Sequence, residues 1–573
     1  MKKKKIDIPQ IRAAMEELRA WSHARADLTA RLAQEEEFYR LRIAPRAHCN
    51  TEGEDFAPRS AWLLNTILQK HADMMESIPS ATCLAREQGD EADAAALSRI
   101  LPVILERSRF EEHYSDNMWY KLKHGVCAWG VFWNTELENG LGDVDVRRVE
   151  LQNLYWQPDV RDLEDSRALY MVERMDRQTL CAAYPNYNAE SAEGELLQGE
   201  ESDPDRVSVV DWYYKKRTPE GRTVLHYCKF TGDTVLFASE NDPRYRDGWY
   251  AHGSYPFVLD VLYPIEGTCT GFGIVAMARD PQIYIDRMDR NLLEYMDWAT
   301  RVRYFCKRNV GINTDEFGDL TRRIVEVEGD IDEERLRPIT APALDDVWLS
   351  LKTLKVDELK ETTANRDVLQ GLTSGGVTAA AAIAALQEAG SKVMRDMVSA
   401  SYRAFVRVVR LVVECVRQFY SEARSFRILG ADGAYRFVSW SNEGIRERVG
   451  EILPDGTALC RRPIFDIDVR AEKKSATSRL SHNETMLELY RLGVFDPANA
   501  SAAKILLDGM DFDGIGRVRE QVAALVASDQ PSAARTAEGE SRVPPLYDQE
   551  ALLAKNAADL ARLRTEATAE QGL

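Results

Sequence analysis

The stretch from Gly371 to Tyr420, GLTSGGVTAAAAIAALQEAGSKVMRDMVSASYRAFVRVVRLVVECVRQFY, constrains the fold more than any other. A Gly/Ser/Thr-rich loop opens directly into a long amphipathic helix. Ile383, Leu386, Val393, Met397, Phe405, Val409, Val412, Val416 and Phe419 recur at helical spacing. A helix of about 40 residues spans ~60 Å, more than the core of one ordinary domain requires. It points to an element that spans or organises a large assembly, with a loop placed to touch something.

Upstream, a helix is expected from Asp280 as N-cap and Pro281 in the first turn to about Arg308, with Gly311 as its stop. Its apolar face is Ile285, Met288, Leu292, Met296, Ala299, Val302 and Phe305. Residues 310–345 break the helical period: Arg323 to Glu328 alternates like a strand, and Pro338 and Pro342 bracket a turn. A second helix follows from about Asp346 to Gln370, with Val347, Leu351, Leu354 and Val368 on one face. Two long helices on either side of a compact insertion must run antiparallel.

The N-terminal region reads as helices at 8–46, with Met15, Leu18, Trp21, Leu28 and Leu32 as its stripe, then at 61–78 (ending at Pro79), 91–108 and 110–125. The period then changes to that of strands at 128–133, 143–149, 168–175, 207–214, 223–230, 234–238 and 257–263. A short helix capped by Asp176 interrupts them before an acidic surface loop at 186–206. After Tyr420 a hairpin is expected at 426–429 and 435–438 and a strand at 463–470. Helices at 476–492, 498–507 and 517–527 follow, and from Ser528 a chain low in aromatics with a weak helix at 548–568. The class is α+β, mainly helical.

The chain has 573 residues, enough for several domains. No apolar run approaches the ~18 residues that cross a bilayer, and the basic Met1–Lys5 start has no apolar core behind it. The nine cysteines lie scattered without a CxxC pair, which argues for reduced thiols; Cys127 and Cys415 read as small core residues. A formal net charge of −19 is ill suited to gripping phosphates but suits a conduit through which DNA slides.

The motifs of common catalytic sites are missing. There is no GxxxxGK[ST], HExxH, GxSxG or Cys/His zinc pattern. Gly271-Phe272-Gly273 lacks the third glycine of a dinucleotide site and reads as a tight turn. His71, His113 and His124 read as ordinary helix residues. Asp511 and Asp513 belong to a partial EF-hand-like loop whose first ligand position is Gly509, so no metal is expected there, and no cofactor elsewhere. A chain this long without a catalytic cluster is expected to be architectural rather than enzymatic.

The order of these elements resembles the portal proteins of tailed bacteriophages. The features that carry the resemblance are Ala61 to Ser80 with the later GVCAWGVFWN, the Gly271–Gly273 turn before the Asp280-Pro281-Gln282 helix bearing Asn291, the small α/β insertion between two long helices, and Thr373-Ser374-Gly375-Gly376-Val377-Thr378-Ala379 opening the long helix. The resemblance covers residues from about 61 to 527. It implies a wing at 1–272, a first stem helix at 273–308, a clip at 309–345, a second stem helix at 346–370 and a tunnel loop at 371–378. A wing helix with β hairpin and strand (379–472), a helical crown (473–527) and a flexible tail (528–573) complete the plan.

The function implied is a ring, expected to be a dodecamer, at one capsid vertex. Double-stranded DNA passes it without sequence specificity during packaging and ejection. The partners implied are the terminase large subunit, then adaptor or tail proteins, with major capsid and scaffolding proteins around the ring and no membrane. The place implied is the portal vertex of the virion, after assembly in the host cytoplasm. Twelve copies of a −19 chain carry about −230 formal charges, which would repel DNA from the channel wall. On this resemblance the tunnel loop comprises Gly371, Thr373, Ser374, Gly375 and Gly376 with Arg366 as the nearest cation. The docking clip comprises Arg322, Arg323, Glu326, Glu328, Glu333, Glu334 and Arg335. The competing readings are a non-phage helical scaffold, which a sustained heptad seam would favour, and an enzyme with an unrecognised carboxylate site.

Overall fold

The computed structural model describes residues 6–43, 60–184, 187, 205–218, 221–245, 248–300, 303–306, 336–339, 346–365, 392–429, 435–452 and 458–473, and short stretches between 483 and 510. The chain divides into two compact units, Met1–Ser481 and His482–Leu573. The described fold lies almost wholly in the first, and it is mixed helix and strand.

The N-terminal helix is two helices, α1 (Ile8–Ala24) and α2 (Ala26–Ile43), where one was expected. Asp7 caps α1: its carboxylate accepts from the Ile8 N–H, and the Gln10 side chain accepts from the Asp7 N–H, a capping box with Pro9 in the first turn. The break falls at Arg25. Its buried guanidinium donates to the Leu151 carbonyl and lies 4.4 Å from the Trp156 ring. The two helices serve different cores, which is why one straight helix does not suffice. Ile11, Leu18 and Trp21 of α1 pack with Tyr170, Val210 and Phe230, whereas Leu32 and Tyr39 of α2 join the main core.

Helix α3 (Trp62–Met75) stops before Pro79, and the chain enters a strand absent from the sequence reading, β1 (Ser77–Ala85). Its antiparallel partner lies far along the chain, at Phe465–Lys473, with Pro79 opposite Ala471. A two-stranded sheet is all edge, so a proline without an N–H is tolerated there. Helices α4 (Glu91–Arg107) and α5 (Phe110–His124) meet at Arg109, which adopts φ 51°, as the expected split near that residue requires. Gly125, at φ 80°, ends α5.

Strands β2 (Val126–Asn134) and β3 (Asp143–Val149), both expected, pair with each other, and β9 (Phe257–Val261) flanks β2 on its other side, giving the order β3-β2-β9. Between them in the chain, β4 (Leu154–Trp156), β5 (Ala168–Asp176), β6 (Arg206–Arg217), β7 (Thr223–Thr231) and β8 (Thr234–Ala238) form an antiparallel meander in chain order. The short helix α6 (Arg177–Ala183) follows β5, and the Asp176 carboxylate accepts from the Thr179 N–H at 3.0 Å, as the sequence implied. Strands β10 (Tyr263–Pro264) and β11 (Gly271–Phe272) form a small ladder before α7 (Ile274–Thr300).

Helix α7 starts earlier than Asp280, so Pro281 lies inside it. Its first turns are held by burial of Ile274, Val275, Ala278, Pro281, Gln282 and Ile285, which outweighs the hydrogen bond that the proline forgoes. It also ends earlier than Arg308: Arg303–Cys306 is a strand, β12, paired antiparallel with β13 (Leu336–Ile339). Helix α8 (Asp346–Thr362) closes with Ala364 at φ 51°. The long helix is described from Lys392 to Phe419 as α9. The expected hairpin is present as β14 (Arg424–Leu429) and β15 (Tyr435–Trp440), followed by a pair not expected from sequence, β16 (Arg448–Ile452) and β17 (Ala458–Arg461). The expected strand at 463–470 is β18 (Phe465–Lys473).

One face of α9 forms the spine of the main core. Met397, Phe405, Val409, Val412 and Val416 are all buried, as their spacing implied, while Val393 near the helix start is exposed. Phe405 meets Phe110 at 5.1 Å, and Phe110 stacks on Trp129 at 5.2 Å, linking α9, α5 and β2. Cys127 and Cys415 are buried, and desolvation pushes both thiols well up.

Candidate functional site

The candidate site is the helix pair α7/α8 with the elements it carries. Asp289 bonds Lys352 at 2.5 Å, and Lys355 lies 5.4 Å from the Tyr284 ring. Rising numbers on one helix meet falling numbers on the other, so the pair is antiparallel, as expected. Strands β12 and β13 then bring Cys306 opposite Leu336. The chain between those two residues contains all seven clip positions, Arg322, Arg323, Glu326, Glu328, Glu333, Glu334 and Arg335, which lie outside the described residues.

The base of the pair is locked into the body. Gln282 is fully buried; its amide donates to the Ser60 hydroxyl at 2.7 Å, and its carbonyl accepts from the Leu63 N–H at 3.1 Å. Ala61 provides no side-chain cap for α3, and Gln282 fills that role from another helix. Asp286 accepts from the Ser60 N–H at 3.1 Å. The Gly271–Gly273 turn is a close-packing device. A Cβ on Gly273 would stand 2.2 Å from the Lys123 carbonyl oxygen, and one on Gly271 2.3 Å from that of Tyr263. The end of α5 therefore sits directly against the start of α7.

Away from the base the helices lose their cover. Along the expected α7 stripe Ile285 is buried, Met288 and Leu292 are half-buried, and Met296 and Ala299 are exposed. On α8 the buried positions are Val356 and Leu359, with Thr363 buried just past its end, while Val347, Trp348 and Leu354 are 64%, 53% and 60% exposed. The expected α8 face containing Val347 and Leu354 is thus turned outward. Large apolar side chains on the open part of both helices are the feature that sequence reasoning missed. The period of α8 could have shown it, since Val356, Leu359 and Thr363 form a competing stripe.

The tunnel-loop residues, Arg366, Gly371, Thr373, Ser374, Gly375 and Gly376, also lie outside the described residues, as do Ile383 and Leu386. The chain enters that stretch from Asn365, buried with its amide 3.3 Å from the Thr66 hydroxyl, and leaves it at Lys392. Asp511 and Asp513 are outside too. Among the described residues no group of His, Cys, Asp and Glu could hold a metal ion, and no helix is long and apolar enough to cross a membrane.

His124 is not an ordinary helix residue. It is buried at the end of α5, with Nδ1 2.9 Å from Glu35 and Nε2 3.3 Å from Glu36. The hydrogen bonds from His124, and then Lys123, hold the Glu36 carboxyl below the usual carboxylate range against its partial burial. The cluster ties α2 to α5, and Glu36, Lys123 and His124 border a pocket of about 450 Å³ that Arg40, Tyr120 and Arg148 also line. His71 stacks on Trp119 at 4.2 Å, and burial lowers its pKa.

The model of a family described as phage P22-like portal protein matches residues 64–571. No curated protein sequence matches the chain.

Proposed function

Because this chain belongs to the phage P22-like portal protein family, the structural head-to-tail connectors of phage virions, we propose that its copies assemble into a ring through which double-stranded DNA enters and leaves the capsid. The observation that carries this reading is the uncovered apolar surface of Trp348, Leu354, Val347 and Met296 on a helix pair anchored firmly at its base. Several large apolar side chains left exposed on one helix pair suit a contact with another molecule. In a ring, each helix pair is covered by its neighbours.

In this reading α7 and α8 are the stem helices, and residues between β12 and β13 form the clip that docks the terminase large subunit and later the adaptor or tail proteins. Residues 1–272 together with 379–472 form the wing, residues 473–527 form the crown, and residues 371–378 face the channel. An acidic wall keeps DNA from adhering, and contacts through Gly375, Gly376 and their neighbours are sequence-independent. The ATPase that drives packaging resides in the terminase. The ring is a dodecamer in the capsid, contacting major capsid and scaffolding proteins there.

Light scattering and negative-stain microscopy of the purified protein test this reading. An annulus with a central channel is expected; a monomer at every concentration and ionic strength rejects it. Reversal of Arg322 and Arg323 to Glu is expected to weaken terminase or adaptor capture with the ring intact, and unchanged capture of both rejects the clip assignment.

A further inference from the structure

A second feature lies away from the helix pair. A groove of about 980 Å³ runs between α9, the turn before β5 and the strand entry at Arg462 to Phe465. Seven arginines line it against three carboxylates. Arg403, Arg407, Arg410 and Arg417 descend one face of α9, and Arg161 and Arg462 come from the other walls. The three carboxylates are already engaged. Asp162 pairs with Arg407 at 3.1 Å, Glu414 pairs with Arg417 at 3.3 Å and with Arg462, and Glu164 bonds Lys215 at 2.6 Å. Arg161, Arg403 and Arg410 have no carboxylate within ion-pair distance among the described residues, and all three are exposed. Between the arginines the lining is aliphatic or aromatic: Ala404, Leu411, Val258 and Phe465, with Ile464 53% exposed at the mouth.

We infer that this groove receives an acidic polypeptide segment, and that the segment is residues 188–204 of a neighbouring copy of this chain. The inference rests on the ring reading for the presence of that neighbour. Exposed guanidiniums without an ion-pair carboxylate among the described residues, above an apolar floor, match carboxylates interleaved with aliphatic side chains. Residues 188–204 have that composition: Glu190, Glu193, Glu195, Glu200, Glu201 and Asp203 surround Leu196 and Leu197, with no Lys or Arg. At about 980 Å³ the groove is at the upper end of small-ligand pockets and holds a few residues of such a segment at a time. A duplex, whose major groove alone is ~12 Å wide, does not fit it.

Chain geometry favours the neighbour over the same copy. The segment is rooted near Arg206, which pairs with Asp176 at one end of β5, while Asp162 and Glu164 precede the other end at Ala168. That length of strand is roughly 26 Å. A segment of this size going out and back within its own subunit reaches about 28 Å at full extension, so only its tip would touch the groove. A neighbour's segment can lie along it.

The test mixes two full-length variants, Arg403→Cys and Glu195→Cys, and oxidises the assembled protein. A covalent dimer on a non-reducing gel that needs both variants is expected, with none from the parent. Rings without that dimer, or a disulfide formed only within a doubly substituted chain, overturn the inference and leave the ring reading standing. Absence of rings in the parent defeats the ring reading instead. In a second arm, a labelled peptide of residues 188–204 is expected to bind the protein and to lose affinity about tenfold with Arg403→Glu/Arg410→Glu. Binding of a single-stranded oligonucleotide in place of the peptide overturns the inference.

Discussion

Lys121 Nζ lies 2.6 Å from Asp260 Oδ1, with the two side chains 0% and 1% exposed. The same ammonium donates to the Ser401 hydroxyl at 2.7 Å. One buried charge pair thereby joins α5, β9 and α9, elements far apart in the chain. A buried pair adds little net stability over a well-packed apolar replacement, yet breaking it exposes the full cost of the orphaned ion. Lys121→Met is therefore expected to cost about 3–5 kcal/mol. Lys121→Met/Asp260→Leu should recover most of that loss in urea denaturation. Equal losses in the single and double variants would show that the pair is not what matters.

The close approach at the start of α7 gives a second expectation. Gly273→Ala places a methyl within 2.2 Å of the Lys123 carbonyl oxygen, a backbone atom that cannot swing aside. A loss of roughly 1–3 kcal/mol is expected, read as a lower thermal midpoint. An unchanged midpoint would mean that α5 and α7 separate freely.

The Glu36 cluster predicts a pH dependence. The folded-state pKa of Glu36 is depressed, so its contribution is present above the unfolded carboxylate value of ~4.3 and fades as pH falls through the folded value. Glu36→Gln is expected to lower stability at pH 7 by no more than about 1 kcal/mol, because the group is partly exposed and screened. The difference from the parent should shrink progressively below pH ~4. A difference that grows towards acid pH would reverse the assignment.

On the helix pair, Trp348→Ser/Leu354→Ser removes apolar surface that is exposed within one copy. Stability of the isolated chain should stay within about 0.5 kcal/mol, while the ring fraction in light scattering falls. Intact rings would show that this face is not a subunit contact.

Within the spine, Val412→Asp puts an unpaired carboxylate at a position with no solvent exposure. A loss of about 3 kcal/mol or more is expected, seen as insoluble protein and no rings. Full-size rings from this variant would contradict the burial of α9.

What the residues determine alone is local. A short apolar run marked β2, alternation marked β3, Asp176 announced α6, and the apolar repeat of Met397 to Val416 identified the buried face of α9, because neighbouring residues suffice to set a period or satisfy a cap. The element order likewise carried the family. What only the tertiary structure decided is whatever depends on a distant partner. β1 exists because Phe465–Lys473 pairs with it, α7 runs through Pro281 because its first turns are buried, and α8 turns Trp348 and Leu354 outward because Val356 and Leu359 reach the core first. Long-range burial outweighs local preference in each case, and a linear pattern does not contain it.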